Sequence, residues 1–130
     1  MKKLLTVVIL TKNEERTIKN VILNAQKCGA NILVVDSGSD DKTVQIAKNY
    51  GANIVFRAWD NDFAAQRNFA LQHVTTPWVL YLDADEFLDA ELTAAVKMYL
   101  PVMKTNNIQC CAKAMLLVLN TNTVFLNLMK

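Results

Sequence analysis

A three-layer α/β domain built on a mainly parallel sheet is what this sequence predicts, and three observations carry the prediction. Four short apolar runs, Leu4–Leu10, Ile32–Val35, Ile54–Arg57 and Trp78–Leu82, read as strands. Segments of helical spacing separate them, and such alternation implies parallel strands joined by crossovers, with helices on the sheet's two faces. Polar clusters follow three of the runs, and a parallel sheet would gather those clusters along one edge.

Each element has its own reason. Leu4–Leu10 follows Met1-Lys2-Lys3 and imitates a signal peptide, yet it passes straight into Thr11-Lys12-Asn13-Glu14-Glu15 with no small-residue cleavage site. It is therefore a strand. Ile18, Val21, Ile22 and Ala25 then recur at i, i+3, i+4 and i+7, the spacing that lays one apolar stripe along a helix. From Asp41 to Tyr50 a second helix is expected, with N-cap chemistry in Ser39-Asp40 and a C-terminal stop at Gly51. A third should run from about Asp62 to His73. Trp78–Leu82 is continuously apolar, which suits a strand buried on both faces, and Asp is depleted in strand interiors. The acids of Asp83-Ala84-Asp85-Glu86 should thus begin where that strand stops. Leu88, Leu92, Ala95, Val96 and Tyr99 share one face of a fourth helix, which Pro101 ends.

With 130 residues and 52% hydrophobic content, the chain is expected to form one soluble globular domain. A net charge of +2 with singly scattered basic residues argues against a nucleic-acid partner. Cys28, Cys110 and Cys111 form no even framework and have no metal-ligand spacing, so a reduced, cytoplasmic setting is expected. No apolar run approaches the ~20 residues that span a bilayer. Charge is uneven: all 12 acids lie at or before Glu91, and after it only Lys97, Lys104, Lys113 and Lys130 are charged. Met115–Leu119 and Val124–Met129 have the look of a hairpin. The break in composition makes 105–130 an atypical tail, expected to be truncated or frame-shifted.

The three clusters, Thr11-Lys12-Asn13-Glu14, Asp36-Ser37-Gly38-Ser39-Asp40-Asp41 and Asp83-Ala84-Asp85-Glu86, hold many carboxylates and few cations. That balance suits a ligand arriving with a hard cation. Magnesium and manganese prefer oxygen, and magnesium is usually held by one or two carboxylates plus substrate phosphates. Thr11, Asp36, Asp83 and Asp85 are expected to meet at one edge and face a common cleft. Plainer readings stand beside each residue. Asp83 and Asp85 could belong to a solvated turn, Asp36 to a turn with Ser37-Gly38-Ser39, and Arg67 to a helix surface. Glu14, Asp40 and Asp41 suit helix starts, and His73 a helix end.

Taken together, Leu4–Glu14, the stretch Val34–Thr43, Arg67-Asn68-Phe69-Ala70 and Leu80–Glu86 resemble the family-2 glycosyltransferases, nucleotide-sugar enzymes of the Rossmann-like GT-A fold. The phrasing is most similar to the branch acting on the lipopolysaccharide core, and the resemblance covers roughly the first hundred residues, taken as a donor-binding domain of 1–104. It implies that Thr11, Asn13 and Glu14 line the nucleoside pocket, that Asp36 accepts from the base, and that Arg67 lies near the nucleotide. Asp83 and Asp85 match the family's DxD, which implies that Asp83 leans toward the ribose and Asp85 reaches a Mg2+ or Mn2+ ion on the diphosphate. The implied partners are a nucleotide-sugar donor, UDP-linked by expectation, and a glycan or lipopolysaccharide acceptor, with inversion at the sugar. Cytoplasmic location leaves room for peripheral association with the inner face of a membrane.

The family's acceptor half, C-terminal to the DxD strand, supplies a carboxylate base, and no Asp or Glu follows Glu91 here. No catalytic residue is therefore assigned. Two other classes stay open. A haloacid-dehalogenase-like phosphotransferase would use the first Asp of an Asp-x-Asp as nucleophile, although that motif normally follows the first strand. A non-catalytic nucleotide-binding module is the other.

Overall fold

The structure, a computed structural model, describes residues 3–76, 78–85, 87–99 and 125–127. Its elements alternate as β1 (Leu5–Thr11), α1 (Ile18–Gln26), β2 (Asn31–Asp36), α2 (Thr43–Asn49), β3 (Asn53–Phe56), α3 (Phe63–Leu71), β4 (Trp78–Asp83), α4 (Ala90–Tyr99) and β5 (Phe125–Asn127). The sheet order is β3-β2-β1-β4-β5. β1 pairs in parallel with both β2 and β4, β2 with β3, and β5 joins β4 antiparallel. The expected three layers are present. Successive strand residues face opposite ways, so Leu5, Val7 and Ile9 meet Val21 and Ile22 of α1, Ala47 of α2 and Val96 of α4 in one core. Val8 and Leu10 meet Ala70, Phe69 and Leu71 of α3 in the other.

Handedness explains why α3, among the described helices, stands alone on its face. The chain steps from β1 to β2 to β3 in one direction and then returns past β1 to β4, so a right-handed crossover puts the returning helix on the opposite side. The reversal makes the carboxyl ends of β1 and β4 a topological switch point. Open α/β sheets bind ligands there.

Three of the strands reach one residue further than their apolar runs. Thr11, Asp36 and Asp83 are the last residues of β1, β2 and β4, because edge backbone groups keep pairing: Ser37 N–H donates to Thr11 O at 3.0 Å and Arg57 N–H to Asp36 O at 3.0 Å. Arg57 itself falls just outside β3. The start of the second helix needs correction, since α2 begins at Thr43 and not at Asp41. Ser39 and Asp40 are engaged elsewhere, and the Asp41 carboxylate accepts the Thr43 N–H at 2.9 Å instead. Its far end is as expected. Gly51 sits at φ +88° while Gly51 N–H reaches Lys48 O and Ala52 N–H reaches Ala47 O, both at 3.1 Å, a Schellman closure.

Asp62 caps α3 by accepting Ala65 N–H at 3.0 Å, and His73 lies at the other end with its Nδ1 3.1 Å from Phe69 O. Val96 is buried as the fourth helical face requires, whereas Leu88, also buried, precedes α4, which begins at Ala90. Cys28 is buried too, and burial pushes its thiol pKa up, as suits an inert group. Glu86, Pro101, Cys110, Cys111, the side chains of Leu92 and Tyr99, and the tail apart from β5 lie outside the described residues.

Candidate functional site

Two loops, 12–17 after β1 and 37–42 after β2, meet at the carboxyl edge of the sheet and are tied together by reciprocal bonds. Asn13 N–H donates to Ser39 Oγ at 2.9 Å and Asp40 N–H returns to Asn13 Oδ1 at 2.8 Å. Glu15 N–H reaches Asp41 Oδ2 at 3.3 Å, while Lys42 N–H reaches Glu15 Oε2 at 3.2 Å. Glu14 N–H adds a bond to Thr43 Oγ1 at 2.9 Å. Asn13 adopts φ 53°, a left-handed conformation that Asn tolerates better than most residues. The Thr43 hydroxyl, donating to Asp41, holds that carboxyl below its ordinary pKa.

Asp36 is the hinge of this arrangement. It is 3% exposed, and its carboxylate receives Thr11 Oγ1 at 3.2 Å, Gly38 N–H at 3.0 Å, Ser39 N–H at 2.9 Å and the Ser39 hydroxyl. Those four donors occupy both oxygens. The turn reading of Asp36 with Ser37-Gly38-Ser39 is thus realised, and Ser37 stands on the cavity side of that turn, its hydroxyl bonded to Thr11 O at 3.0 Å.

A cavity of about 290 Å³ opens beside these loops. Its lining combines polar Thr11, Lys12, Glu14, Ser37 and Gln66 with apolar Leu10, Trp59 and Phe63. Of the three residues expected to line a nucleoside pocket, Thr11 and Glu14 line this cavity and Asn13 does not. Trp59, Phe63 and Gln66 were not expected, although an aromatic pair in the loop that leaves the carboxyl end of a strand is a signal available in the sequence. Glu14 also serves α1, its carboxylate accepting the Thr17 hydroxyl at 3.3 Å.

Asp83 lies at the same edge of the sheet as this cavity but is not one of the residues lining it. It pairs with Leu10 across β1 and β4, and residues opposite one another in a parallel pair point to the same face, so Asp83 stands on Leu10's side of the sheet. Thr11 and Asp36 alternate onto the other face. The four residues therefore share one edge, but of the four only Thr11 lines the cavity; Asp36, Asp83 and Asp85 do not. Ala84 is buried at 4% exposure between the exposed Asp83 and Asp85, so its methyl anchors the turn while both acids reach solvent. Asn24 on α1 pins the same turn: its Nδ2 donates to Leu88 O at 2.8 Å and Leu88 N–H donates to its Oδ1 at 2.7 Å. Asn24→Ala should lower unfolding free energy by about 1–3 kcal/mol in urea titrations, the usual penalty for stranding buried backbone groups. An unchanged midpoint would show that the turn is held by other means.

Arg67 sits one turn along α3 from Phe63. Its guanidinium lies 5.6 Å from the Tyr81 ring centroid, and Tyr81 OH donates to Arg67 O at 3.3 Å. Burial pushes the Tyr81 pKa up, partly offset by the Arg67 charge. Arg67 Nε is buried without a hydrogen-bond partner. Among the described residues no three His, Cys, Asp or Glu side chains gather as a metal cage, so the protein's oxygen donors at the β4 end are the Asp83 and Asp85 pair.

This sheet order, with a cavity at the switch point and an acid pair at the end of β4, is that of a GT-A glycosyltransferase fold. The mannosyltransferase PcManGT of Pyrobaculum calidifontis, solved with GDP-Man and Mn2+, matches with TM-score 0.62 and 28% identity over 74% of this chain and 32% of its own. More narrowly, the chain belongs to Glycosyl transferase family 2, whose sequence model matches residues 6–109. An uncharacterized glycosyltransferase of Rickettsia typhi is 41% identical over 92 residues, 71% of this chain and 31% of that protein. The lipopolysaccharide core biosynthesis glycosyltransferase LpsC of Rhizobium meliloti is 34% identical over 93 residues, 68% of this chain and 34% of LpsC. The chain thus spans about a third of the length of the relatives it matches. Family membership removes the phosphotransferase alternative. No helix among the described residues is long and apolar enough to cross a membrane.

Proposed function

We propose that residues 1–104 form the donor-binding part of a glycosyltransferase that transfers a sugar, with inversion, from a nucleotide sugar to a glycan or lipopolysaccharide-core acceptor. The supporting observation is the placement of Asp83, register partner of the cavity residue Leu10, with exposed Asp85 two residues on. A nucleoside in the cavity would direct its diphosphate toward that acid pair. Thr11, Asn13, Glu14, Asp36, Arg67 and Asp83 are assigned to the nucleotide, with Asn13 and Asp36 acting through the braced loops they hold. Arg67 is assigned on the family resemblance; its guanidinium lies by Tyr81, whose side of the sheet Asp83 shares.

Asp85, with Asp83 nearby, supplies the hard oxygen donors that suit Mg2+ or Mn2+, and water and phosphate oxygens would complete the shell. Such an ion supplies Lewis-acid stabilisation of charge on the departing nucleoside diphosphate. A UDP-sugar is taken as the donor, as the family resemblance implies. The similarity to LpsC supports the lipopolysaccharide-core acceptor. We place the protein in the cytoplasm, with peripheral contact at the inner membrane face where such an acceptor would lie.

Calorimetric titration tests the reading. UDP should bind in manganese and lose most of its affinity in excess chelator. Equal affinity in both would reject the metal role, and no binding in either would reject the nucleotide site.

A further inference from the structure

The loop between β3 and α3 is more heavily braced than its exposed position requires. Arg57 grips Asp60 with both terminal nitrogens, at 3.1 and 2.8 Å, and gives a further bond from Nη1 to Gln66 Oε1 at 2.8 Å. Gln66 Nε2 returns to Arg57 O at 3.2 Å. A guanidinium has no acceptor, so this pairing fixes which end of the Gln66 amide faces it. Asn61 adopts φ 62° and its Oδ1 accepts the Trp59 indole N–H at 3.0 Å. Trp59 meets Phe63 edge to face, with centroids 4.6 Å apart and planes at 65°.

The consequence lies in what these groups leave for the cavity. The indole N–H is used within the loop, so Trp59 offers the cavity its apolar ring. Phe63 is 59% exposed, an unfavourable position for a large apolar ring unless something flat covers it. Thr11, Glu14 and Ser37 line the same cavity. A cavity that offers both aromatic rings and oxygen groups has what a nucleoside needs, ring against ring and ribose hydroxyls against oxygen.

We propose that Trp59 and Phe63 form the platform on which the donor's nucleobase stacks, and that Arg57 is the positioning residue that holds this platform through Asp60 and Gln66. The inference rests on the nucleotide-sugar reading above. Base–aromatic stacking is sequence-tolerant, so the platform contributes affinity while the choice of base falls to the polar lining.

The test compares UDP with pyrophosphate, each titrated calorimetrically in manganese against the full chain. Trp59→Ala and Trp59→Leu should each weaken UDP about tenfold to a hundredfold, the usual range for losing one stacked base, and leave pyrophosphate within twofold of wild type. Trp59→Phe should restore most of the loss, because it keeps a π face. Arg57→Lys, which cannot grip Asp60 and Gln66 together, should weaken UDP and reduce the quenching of Trp59 fluorescence by UDP, again sparing pyrophosphate. Equal weakening of both probes would mean a general structural effect and overturn the proposal. Full UDP affinity in Trp59→Ala, with wild type binding normally, would overturn the proposal alone. Failure of wild type to bind UDP at all would sink the nucleotide reading with it.

Discussion

Asp85→Ala should weaken manganese-dependent UDP binding by about a hundredfold, roughly 2.8 kcal/mol at 1.4 kcal/mol per decade, while Asp83→Ala has a smaller effect. The difference follows from the assigned roles. Removing a direct carboxylate ligand takes away an ionic metal–oxygen contact that water replaces poorly, whereas Asp83 is assigned to the ribose, where a neutral hydroxyl is the partner. Both acids are exposed, so neither substitution should disturb folding by more than the usual few tenths of a kcal/mol at a surface position. Thermal melts of the two variants should therefore match wild type. In excess chelator Asp85→Ala and wild type should bind UDP with the same weak affinity, while Asp83→Ala should keep its smaller loss, because a ribose contact does not need the ion. A larger loss from Asp83→Ala would exchange the roles of the pair, and no loss from either would move the metal elsewhere.

The sheet was legible because its information is local. Runs such as Val7-Val8-Ile9 and Leu33-Val34-Val35 are apolar on both faces, which only an interior parallel strand requires, and the Ile18–Ala25 stripe repeats at helical spacing. The acid edge followed for the same reason, since Asp36 and Asp83 each end an apolar run. What did not follow was which face each end residue occupies. That depends on alternation parity in two strands and on their mutual register, and register is set by tertiary packing. Asp83 shares a face with Leu10, and Asp36 does not, because β4 enters one residue out of step with β2 relative to β1.

The aromatic lining was missed for a different reason. Trp59 and Phe63 have no periodicity with respect to one another, and their meeting depends on Arg57 bridging Asp60 and Gln66 across a loop. Nothing in local propensity encodes a guanidinium with three simultaneous acceptors. Start chemistry at α2 misled in the same way. Ser39 and Asp40 are good capping residues, but Asn13 from the preceding loop engages both, so the helix opens two residues later.

Assayed by itself, this chain should transfer sugar very slowly even where it binds donor well. No Asp or Glu follows Glu91, so the residues beyond it hold no carboxylate to act as base. An acceptor hydroxyl attacking while still protonated forgoes general-base assistance, which typically costs a factor of about 10²–10⁴ in rate. The chain also spans only about a third of its relatives, and an acceptor not held in line loses the further contribution that orientation makes to enzymatic rate. Donor hydrolysis by water has neither requirement in full, so slow release of free sugar should exceed transfer. The measurement incubates the purified chain with manganese, a panel of UDP-sugars and a lipopolysaccharide-core acceptor, and follows both products by mass spectrometry. Transfer at an ordinary enzymatic rate of about 1–10³ s⁻¹, abolished by Asp85→Ala, would show that a group within these residues serves as base. Donor binding with neither transfer nor hydrolysis would instead define a binding module, whose chemistry depends on an acceptor-holding partner.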